Sequence, residues 1–378
     1  MPVPVEQRPV PVVRLRTPYP DLSTLSGESQ LSLRVEGGAK LEELAVALAE
    51  FRPELGAGSN SLSLSLSGRI GAISEALSSL PPEQRAGPPV VELQKALERF
   101  RGPAPALRLG HQVWRFGERT YLLGVVNVTP DSFSGDGVGS SPEAAAERAR
   151  LLVSEGADAI DLGAESTRPG YRPVSAADEI DRLVPALTLI RRELSVPVFA
   201  DTSKAEVARA ALDSGADAIN DVWGLRRDPE MAGVVARARV PVVCMHNRTE
   251  PQYRDLMGEL QAELRFSLRI AEEAGIPRER VVVDPGIGFG KGPQQSYAVL
   301  RRLCELRLLG CPVLVGTSRK SLIGWLLDER PVGTRLLGTA ATVAWSVANG
   351  ADIVRVHDVG QIRDVARVMD ELSRRSPS

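Results

Sequence analysis

The sequence predicts an α/β protein, in which a TIM (β/α)8 barrel follows a small α+β module at the N-terminus. Eight short apolar runs, rich in Val, Ile, Leu and Ala, succeed one another from residue 121 onward. Such continuous runs are typical of parallel strands that are buried on both faces. Amphipathic helical stretches separate the runs, and eight strand–helix units in about 250 residues are typical of a TIM barrel.

The overall composition excludes several classes of protein. The chain has 378 residues, of which 43% are hydrophobic and 25% charged, and its net charge is −2. This balance is ordinary for a globular protein and gives no indication of nucleic acid or an anionic membrane as a partner. No apolar stretch reaches the ~20 residues of a membrane span, the N-terminus lacks the apolar core of a signal peptide, and the three cysteines form no CxxC motif. We therefore expect a cytoplasmic protein.

The basic residues show a strong bias, since only 5 of the 46 lysines and arginines are lysine. Arginine serves well at ordinary exposed sites, whereas a compact ammonium group is a property of lysine alone. Each lysine in this chain is therefore a candidate for a specific role.

Residues 1–104 form the first predicted unit, and "GPAPAL" at 102–107 is interpreted as the linker to the second unit, 105–378. The proline-rich first 20 residues are expected to be extended. Alternating and helical spacing then predict a strand–helix–strand–helix order over about 28–102, in "SQLSLRVEGG", "AKLEELAVALAEFR", "SNSLSLSLSG" and "VVELQKALERFRG". No catalytic constellation is visible in this unit, and its role is left open.

The barrel is predicted to begin with a hairpin, "LRLGHQVWRFGERTYLL", with its turn at Gly117-Glu118. Eight strands then follow, in "YLLGVVNV", "ADAIDLGAE", "PVFADTS", "ADAINDVW", "PVVCMH", "VVVDPG", "PVLVGTS" and "DIVRVHDV". Three helices end at a glycine directly before a strand, in "SEGADAIDLG", "DSGADAINDV" and "ANGADIVRVH", which indicates left-handed helix caps. An open doubly wound sheet is the alternative, but no GxGxxG follows the first strand.

Polar side chains follow most of these strands, and in TIM barrels the carboxyl ends of the strands carry the chemistry. We therefore predict a site there, from Asn127, Asp161 with Glu165, Asp201, Asn220 with Asp221, Met245 with His246, Asp284, Ser318 with Lys320, and Arg355 with His357. By contrast, Asp158, Asp217 and Asp352 begin strands at the opposite rim, and we predict structural roles for them.

Asp201, Asn220 and Asp284 are predicted to meet in the barrel mouth. A carboxylate accepts two N–H groups and an amide both donates and accepts, so the set suits a flat heterocycle rich in N–H donors. The alternative for each residue is the capping of a loop, because Asp and Asn often close such turns.

Lys320, in "GTSRKS", has three interpretations: a Schiff-base former, a cation for an anionic group, or a surface residue. The glycine-rich "DPGIGFGKG" at 284–292 lacks the P-loop spacing, and Phe289 within it is either a stacking wall or ordinary packing.

Arg355 and His357 stand two residues apart in "RVHD", so both point to the same side of a strand. Beside Asn127 they would suit a diphosphate with a magnesium ion. The alternative for Arg355 is a salt bridge with a carboxylate. In "ESTRPG", Arg168 and Pro169 lie on a loop that either closes over an anion or is simply solvated.

Seven motifs together resemble the dihydropteroate synthase family over about 121–372: "LLGVVNVTPDSFSGDG", "GAESTRPG", "DTSK", "AINDV", "DPGIGFGK", "GTSRKS" and "IVRVHDV". "GAES" departs slightly from the family pattern, which has two glycines before the Glu. Residues 1–104 lie outside the resemblance.

The resemblance implies a TIM barrel in which the amine of p-aminobenzoate displaces diphosphate from 6-hydroxymethyl-7,8-dihydropterin diphosphate. It implies that Asp201, Asn220, Asp284 and Lys320 hold the pterin, that Asn127 binds Mg²⁺, and that Arg355 and His357 take the diphosphate. It implies a p-aminobenzoate pocket shaped by Phe133, Thr167, Arg168, Pro169, Phe289 and Ser321, and Met245 is expected at the substrate site. The family is usually dimeric, so a homodimer is expected.

Three other hypotheses remain at this point. A pterin-dependent methyltransferase would share the pterin groups but needs neither the Arg-Pro loop nor Lys320 nor a diphosphate site. A catalytically inactive barrel would serve as a pterin-binding scaffold, and a Schiff-base aldolase would use Lys320 as its nucleophile.

Overall fold

The computed structural model describes residues 12–16, 30–37, 40–51, 53–57, 62–129, 139, 141–165 and 174–373. The chain divides into two compact units, Met1–Pro103 with Arg307–Gly310, and Ala104–Leu306 with Cys311–Ser378. None of the helices in the described ranges is long and apolar enough to cross a membrane.

The N-terminal unit contains a four-stranded antiparallel sheet with the strand order β1-β2-β4-β3. Its elements are β1 (Val12–Arg16), β2 (Gln30–Gly37), α1 (Lys40–Ala47), β3 (Glu54–Ala57), β4 (Leu62–Arg69), α2 (Ile70–Ser79), α3 (Pro82–Arg85) and α4 (Pro88–Arg101). Leu64 and Leu66 of β4 are both buried, as the strict alternation of this strand predicts.

The predicted strand–helix–strand–helix order of this unit is incomplete. The segment interpreted as extended chain includes β1, which pairs with β2. β3 has only four residues, one of them glycine, so it carries almost no alternation to identify it. α2 begins at the residue after β4 ends, so no turn residue separates the strand from the helix.

A hairpin of β5 (Leu107–Leu109) and β6 (Gln112–Trp114) precedes the barrel. Its turn consists of Gly110 and His111, so the predicted turn at Gly117-Glu118 is wrong. Gly110 has a φ of +54°, a left-handed conformation that glycine adopts without strain. Gly117 lies instead in the next turn, between the hairpin and the first strand of the barrel.

The barrel consists of the eight strands that the sequence predicts. They are β7 (Tyr121–Asn127), β8 (Ala159–Gly163), β9 (Val198–Asp201), β10 (Ala218–Asp221), β11 (Val242–Met245), β12 (Val281–Asp284), β13 (Leu314–Val315) and β14 (Ile353–Val356). They pair in parallel in the order β12-β11-β10-β9-β8-β7-β14-β13. A parallel bridge between Val283 and Val313 joins the two ends of this sheet, which excludes the open doubly wound alternative.

Helices follow the strands around the barrel: α5 (Pro142–Ser154), α6 (Ala176–Glu193), α7 (Ala205–Asp213), α8 (Met231–Ala238), α9 (Leu256–Glu273), α10 (Pro293–Arg301), α11 (Ser321–Leu326), α12 (Leu336–Ala348) and α13 (Val359–Ser373). The three predicted glycine caps are confirmed, since Gly156, Gly215 and Gly350 have φ values of +106°, +98° and +89°.

The hairpin supplies an apolar core at the amino end of the barrel. The ring of Trp114 stacks on Tyr121 at 4.4 Å between centroids and lies 6.2 Å from Phe199. Trp114 belongs to one buried cluster with residues from eight strands of the barrel. Among the described residues, the interior of the barrel is therefore filled by side chains at this end, and the polar strand ends lie at the opposite, carboxyl end.

The three aspartates at the opposite rim are structural, as predicted. Asp158 accepts from the backbone N–H of Leu122 and Asp217 from that of Val198, at 2.8 and 2.9 Å. Asp352 accepts from the backbone N–H of Val313 at 3.0 Å. Each carboxylate thus satisfies a donor at the start of a neighbouring strand.

Candidate active site at the carboxyl end of the barrel

Four neighbouring strands bring Asn127, Gly163, Asp201 and Asn220 into one row. Asn127 pairs in register with Gly163, Gly163 with Asp201, and Asp201 with Asn220. A Cβ atom on Gly163 would lie 3.4 Å from Asp201 Cβ and 3.7 Å from Asn127 Oδ1. The absence of a side chain at Gly163 therefore lets Asn127 and Asp201 border the same space.

A buried ion-pair network lies next to this row. Arg355 Nε donates to Asp161 Oδ2 at 2.5 Å, and Arg355 Nη2 donates to Asp201 Oδ2 at 2.8 Å. Asn220 Nδ2 lies 3.3 Å from both oxygens of Asp161. Burial alone would lower the pKa of Arg355, but Asp161 and Asp201 outweigh it and raise this pKa. Arg355 thus forms the carboxylate salt bridge that was one of its two interpretations.

Asp201 has an open hydrogen-bonding position. Its Oδ1 atom is buried and has no hydrogen-bonding partner among the described residues. Burial and the neighbouring carboxylate of Asp161 raise the pKa of Asp201 to about 8, although Arg355 opposes this shift. A buried carboxyl oxygen without a partner is costly, and a ligand with an N–H donor would satisfy it.

Asp221 follows Asn220 but faces away from this network. It accepts from the backbone N–H groups of Trp223 and Leu225 at 2.9 and 2.7 Å. Leu225 has a φ of +64°, so Asp221 stabilises a turn in an unfavourable conformation. Asp221 therefore caps a loop, which is the role that was the alternative for Asp201, Asn220 and Asp284.

Asp284 and Lys320 come from the next part of the barrel. Asp284 is buried and its Oδ1 accepts from the backbone N–H of Gly286 at 2.7 Å. Burial raises the pKa of Asp284, and Lys320 acts against that shift. Lys320 is partly buried, donates to the carbonyl O of Ile287 at 2.6 Å, and has its Nζ 4.7 Å from the centre of the Phe289 ring. Lys320 thus lies against the glycine-rich loop at the carboxyl end of the barrel and is partly buried.

His357 and Met245 are also at this end of the barrel. His357 is 7% exposed, and its Nδ1 lies 2.9 Å from the hydroxyl of Ser318. Met245 is buried beside Gly286, since a Cβ on that glycine would lie 3.3 Å from Met245 Cγ. Ser321 is exposed at the first position of α11.

Four predicted site residues, Phe133, Thr167, Arg168 and Pro169, lie outside the described residues. The structure does describe Glu165 and Val174, the residues on either side of the undescribed part of the loop after β8. Glu165 Oε1 accepts from the backbone N–H of Val174 at 2.9 Å, and Lys204 Nζ lies 3.0 Å from Glu165 Oε2 and 2.5 Å from Glu179 Oε2.

Sequence reasoning assigned no role to Asp161, Lys204 or Lys291. Asp161 was identified only as a strand end, although its position two residues before Gly163 puts it on the same face of β8. For the two lysines, the scarcity of lysine in the chain was the available signal. Among the described residues, no group of three or more His, Cys, Asp or Glu side chains is placed to hold a metal ion.

Comparison with known proteins agrees with this geometry. The sequence matches the family described as pterin binding enzymes over residues 123–357. Dihydropteroate synthase from Synechocystis is 43% identical over 277 residues, which cover 71% of this chain and 96% of that relative. The structure of Xanthomonas albilineans dihydropteroate synthase with 4-aminobenzoic acid is 39% identical and has a TM-score of 0.68, over 72% of this chain and 100% of that one. The same enzyme in complex with 7,8-dihydropteroate has a TM-score of 0.66 at 37% identity, with the same coverage.

Proposed function

The chain belongs to the dihydropteroate synthases within the family of pterin-binding enzymes, and from this premise we infer how its residues divide the work of the reaction. It condenses 6-hydroxymethyl-7,8-dihydropterin diphosphate with p-aminobenzoate, giving 7,8-dihydropteroate and diphosphate. The assignment of individual steps to residues is our proposal.

The pterin lies, in this proposal, against Asp201, Asn220, Asp284 and Lys320. The observation that carries it is the buried Oδ1 of Asp201, which has no partner among the described residues. A pterin offers N–H donors along one edge of a flat ring, and such a donor would satisfy this oxygen. Asn220, held by Asp161 at 3.3 Å, extends the same polar edge.

The carboxylates at this end of the barrel outnumber the cations, so a negatively charged substrate would bind here best together with a positive ion. Asp161, Asp201 and Asp284 supply three carboxylates against the cations of Arg355 and Lys320. A diphosphate entering this cluster needs further positive charge or a proton on one carboxylate. The raised pKa of Asp201, caused first by burial and then by Asp161, is consistent with such a proton.

Magnesium fits this site as a partner of the substrate. Mg²⁺ usually binds one or two protein oxygens together with phosphate oxygens and water. Asn127 contributes an amide oxygen in the same row as Asp201, and we propose that it holds the ion together with the diphosphate. The bound ion would neutralise charge on the diphosphate.

The reaction needs no covalent nucleophile. The C–O bond at the pterin methylene breaks first, its electron pair leaves on the diphosphate, and the ring delocalises the cation. The amine nitrogen of p-aminobenzoate then forms the C–N bond and loses a proton. Arg355 and His357 stabilise the departing diphosphate, and the buried surroundings keep water from the cation.

The second substrate is proposed to bind against Phe289 and Ser321, together with Phe133, Thr167, Arg168 and Pro169. Phe289 contacts the cation of Lys320. In this proposal the benzoate ring lies against Phe289 and the pterin against Lys320, so the two substrates are neighbours. The three cysteines are buried and form no disulfide bond with one another, which fits the cytoplasmic location that we propose.

A homodimer is the proposed assembly. Four large apolar side chains on α11 and α12 are exposed in the single chain: Trp325 by 42%, Leu326 by 58%, Leu337 by 78% and Trp345 by 37%. A second copy covering these helices would remove them from water. Sedimentation equilibrium of the full chain should therefore give twice the mass of one chain, and a monomer at micromolar concentration would reject this assembly.

The direct test of function follows both products in one reaction. The full chain is mixed with Mg²⁺, p-aminobenzoate and the pterin diphosphate, and diphosphate and dihydropteroate are measured together. Equal release of both, dependent on p-aminobenzoate, is expected. Pterin binding without product would instead support the scaffold or methyltransferase hypothesis.

A further inference from the structure

The glycine-rich loop 285–292 contains a buried lysine that is outside the proposed set of substrate ligands. Lys291 is 7% exposed. Its Nζ lies 2.7 Å from His246 Nδ1, 3.0 Å from the carbonyl O of Phe289 and 3.2 Å from that of Gly286. An ammonium group has three donors and no acceptor, so these three contacts match a charged lysine.

The loop is held by two lysines that bind different carbonyls. Lys291 binds the carbonyls of Gly286 and Phe289, whereas Lys320 binds the carbonyl of Ile287 and contacts the Phe289 ring. Gly286, Gly288 and Gly290 have φ values of +66°, +80° and +53°. These left-handed glycines allow successive carbonyls to serve different partners within one short loop.

The glycines also allow the loop to approach its neighbour closely. A Cβ on Gly286 would lie 1.9 Å from the carbonyl O of His246, and one on Gly290 would lie 2.5 Å from that of Arg248. The loop therefore packs directly on the backbone that follows β11. This close packing explains why "DPGIGFGKG" is rich in glycine.

The charged groups around Lys291 act in both directions. Burial lowers the pKa of Lys291 to about 7, and Lys320 and Arg248 also lower it, whereas Asp284 and Glu263 raise it. Burial likewise lowers the pKa of His246 to about 4, so its imidazole is neutral at pH 7 and Nδ1 can accept from Lys291. His246 Nε2 then carries the hydrogen and lies 3.3 Å from Glu263 Oε2, although the two atoms do not form an aligned hydrogen bond.

We propose that Lys291 is a positioning residue for the pterin site. Its ammonium group fixes the carbonyls of Gly286 and Phe289, and thereby places the Ile287 carbonyl and the Phe289 ring that orient Lys320. The inference rests on the proposed role of Lys320 as a pterin ligand. Without Lys291, two buried carbonyls and an imidazole nitrogen lose a donor, and the three glycines let the loop relax away from Lys320.

A double-mutant cycle tests this coupling in the full chain. Lys291→Met, Lys320→Met and the double variant are compared by kcat and by KM for each substrate. Lys291→Met is expected to raise KM for the pterin diphosphate by about tenfold, and to raise KM for p-aminobenzoate as well, because the Phe289 ring that Lys291 places borders the proposed p-aminobenzoate pocket. The double variant is expected to match Lys320→Met, because each substitution removes the same oriented cation.

Lys95→Met is the matched control, because Lys95 has a side chain 52% exposed on α4 and, among the described residues, pairs only with Glu92 at 3.5 Å. It should leave all three constants unchanged. Thermal unfolding of each variant shows whether it is folded. If Lys291→Met does not fold, Lys291→Gln, which keeps an N–H donor group, takes its place. An unchanged pterin KM, or fold-changes that simply multiply in the double variant, would overturn the inference. An inactive wild-type chain would overturn the proposed function itself.

Discussion

The proton on Asp201 leads to a quantitative prediction about stability. Burial and Asp161 raise the pKa of Asp201 from 3.8 to about 8, so the folded chain binds this proton more tightly than the unfolded chain does. This contribution to stability is fully present below the unfolded pKa of 3.8 and is lost as the pH rises through 8. The loss is about 1.4 kcal/mol per pH unit until the pH approaches 8, and it amounts to about 3 kcal/mol in total between pH 6 and pH 9.

Asp201→Asn removes the titrating group but keeps its shape. Urea unfolding of the full chain, without substrate, is measured at pH 6 and pH 9 for both proteins. The free energy of unfolding of the wild type is expected to fall by about 3 kcal/mol more over this interval than that of the variant. Asp364→Asn, whose side chain is 74% exposed on α13, controls for the loss of a carboxylate. Parallel pH dependences for wild type and Asp201→Asn would refute the proposed proton.

Three further predictions follow from packing and charge. Trp114→Ala should cost about 3–5 kcal/mol of unfolding free energy, whereas Val113→Ala, on the exposed face of the same strand, should cost much less; chemical denaturation measures both. Gly286→Ala should abolish turnover, because the new Cβ would lie 1.9 Å from a backbone oxygen. Gly275→Ala is the control and should retain turnover, because Gly275 is also at positive φ but has no atom within 4 Å of such a Cβ. Arg355→Leu should destabilise the chain by about 3–5 kcal/mol at pH 8, because it leaves the buried carboxylates of Asp161 and Asp201 unpaired. The loss of stability should be smaller at pH 5. Equal losses of stability at both pH values would contradict the ion pairs of Arg355 with these two carboxylates.

The sequence predicted the barrel well because each strand is specified locally. All eight apolar runs became parallel strands, since burial on both faces requires continuous apolar side chains. The three glycine caps were readable for a similar reason, because a left-handed residue at a helix end favours glycine wherever the chain lies. The errors fall where local signals are weak, as in the four-residue strand β3 and the hairpin turn at Gly110 and His111.

The sequence by itself determined which polar residues stand at the carboxyl ends of the strands, and from them the chemistry that the site can host. Only the tertiary structure decided their partners. Asp161 and Arg355 are 194 positions apart in sequence yet form a buried ion pair, and Lys291 contacts His246 across 45 positions. Strand periodicity fixes the face on which a side chain lies, but closure of the barrel fixes which faces meet. The charge balance of the site, and the pKa of Asp201 with it, therefore emerged only when the eight strands were brought together.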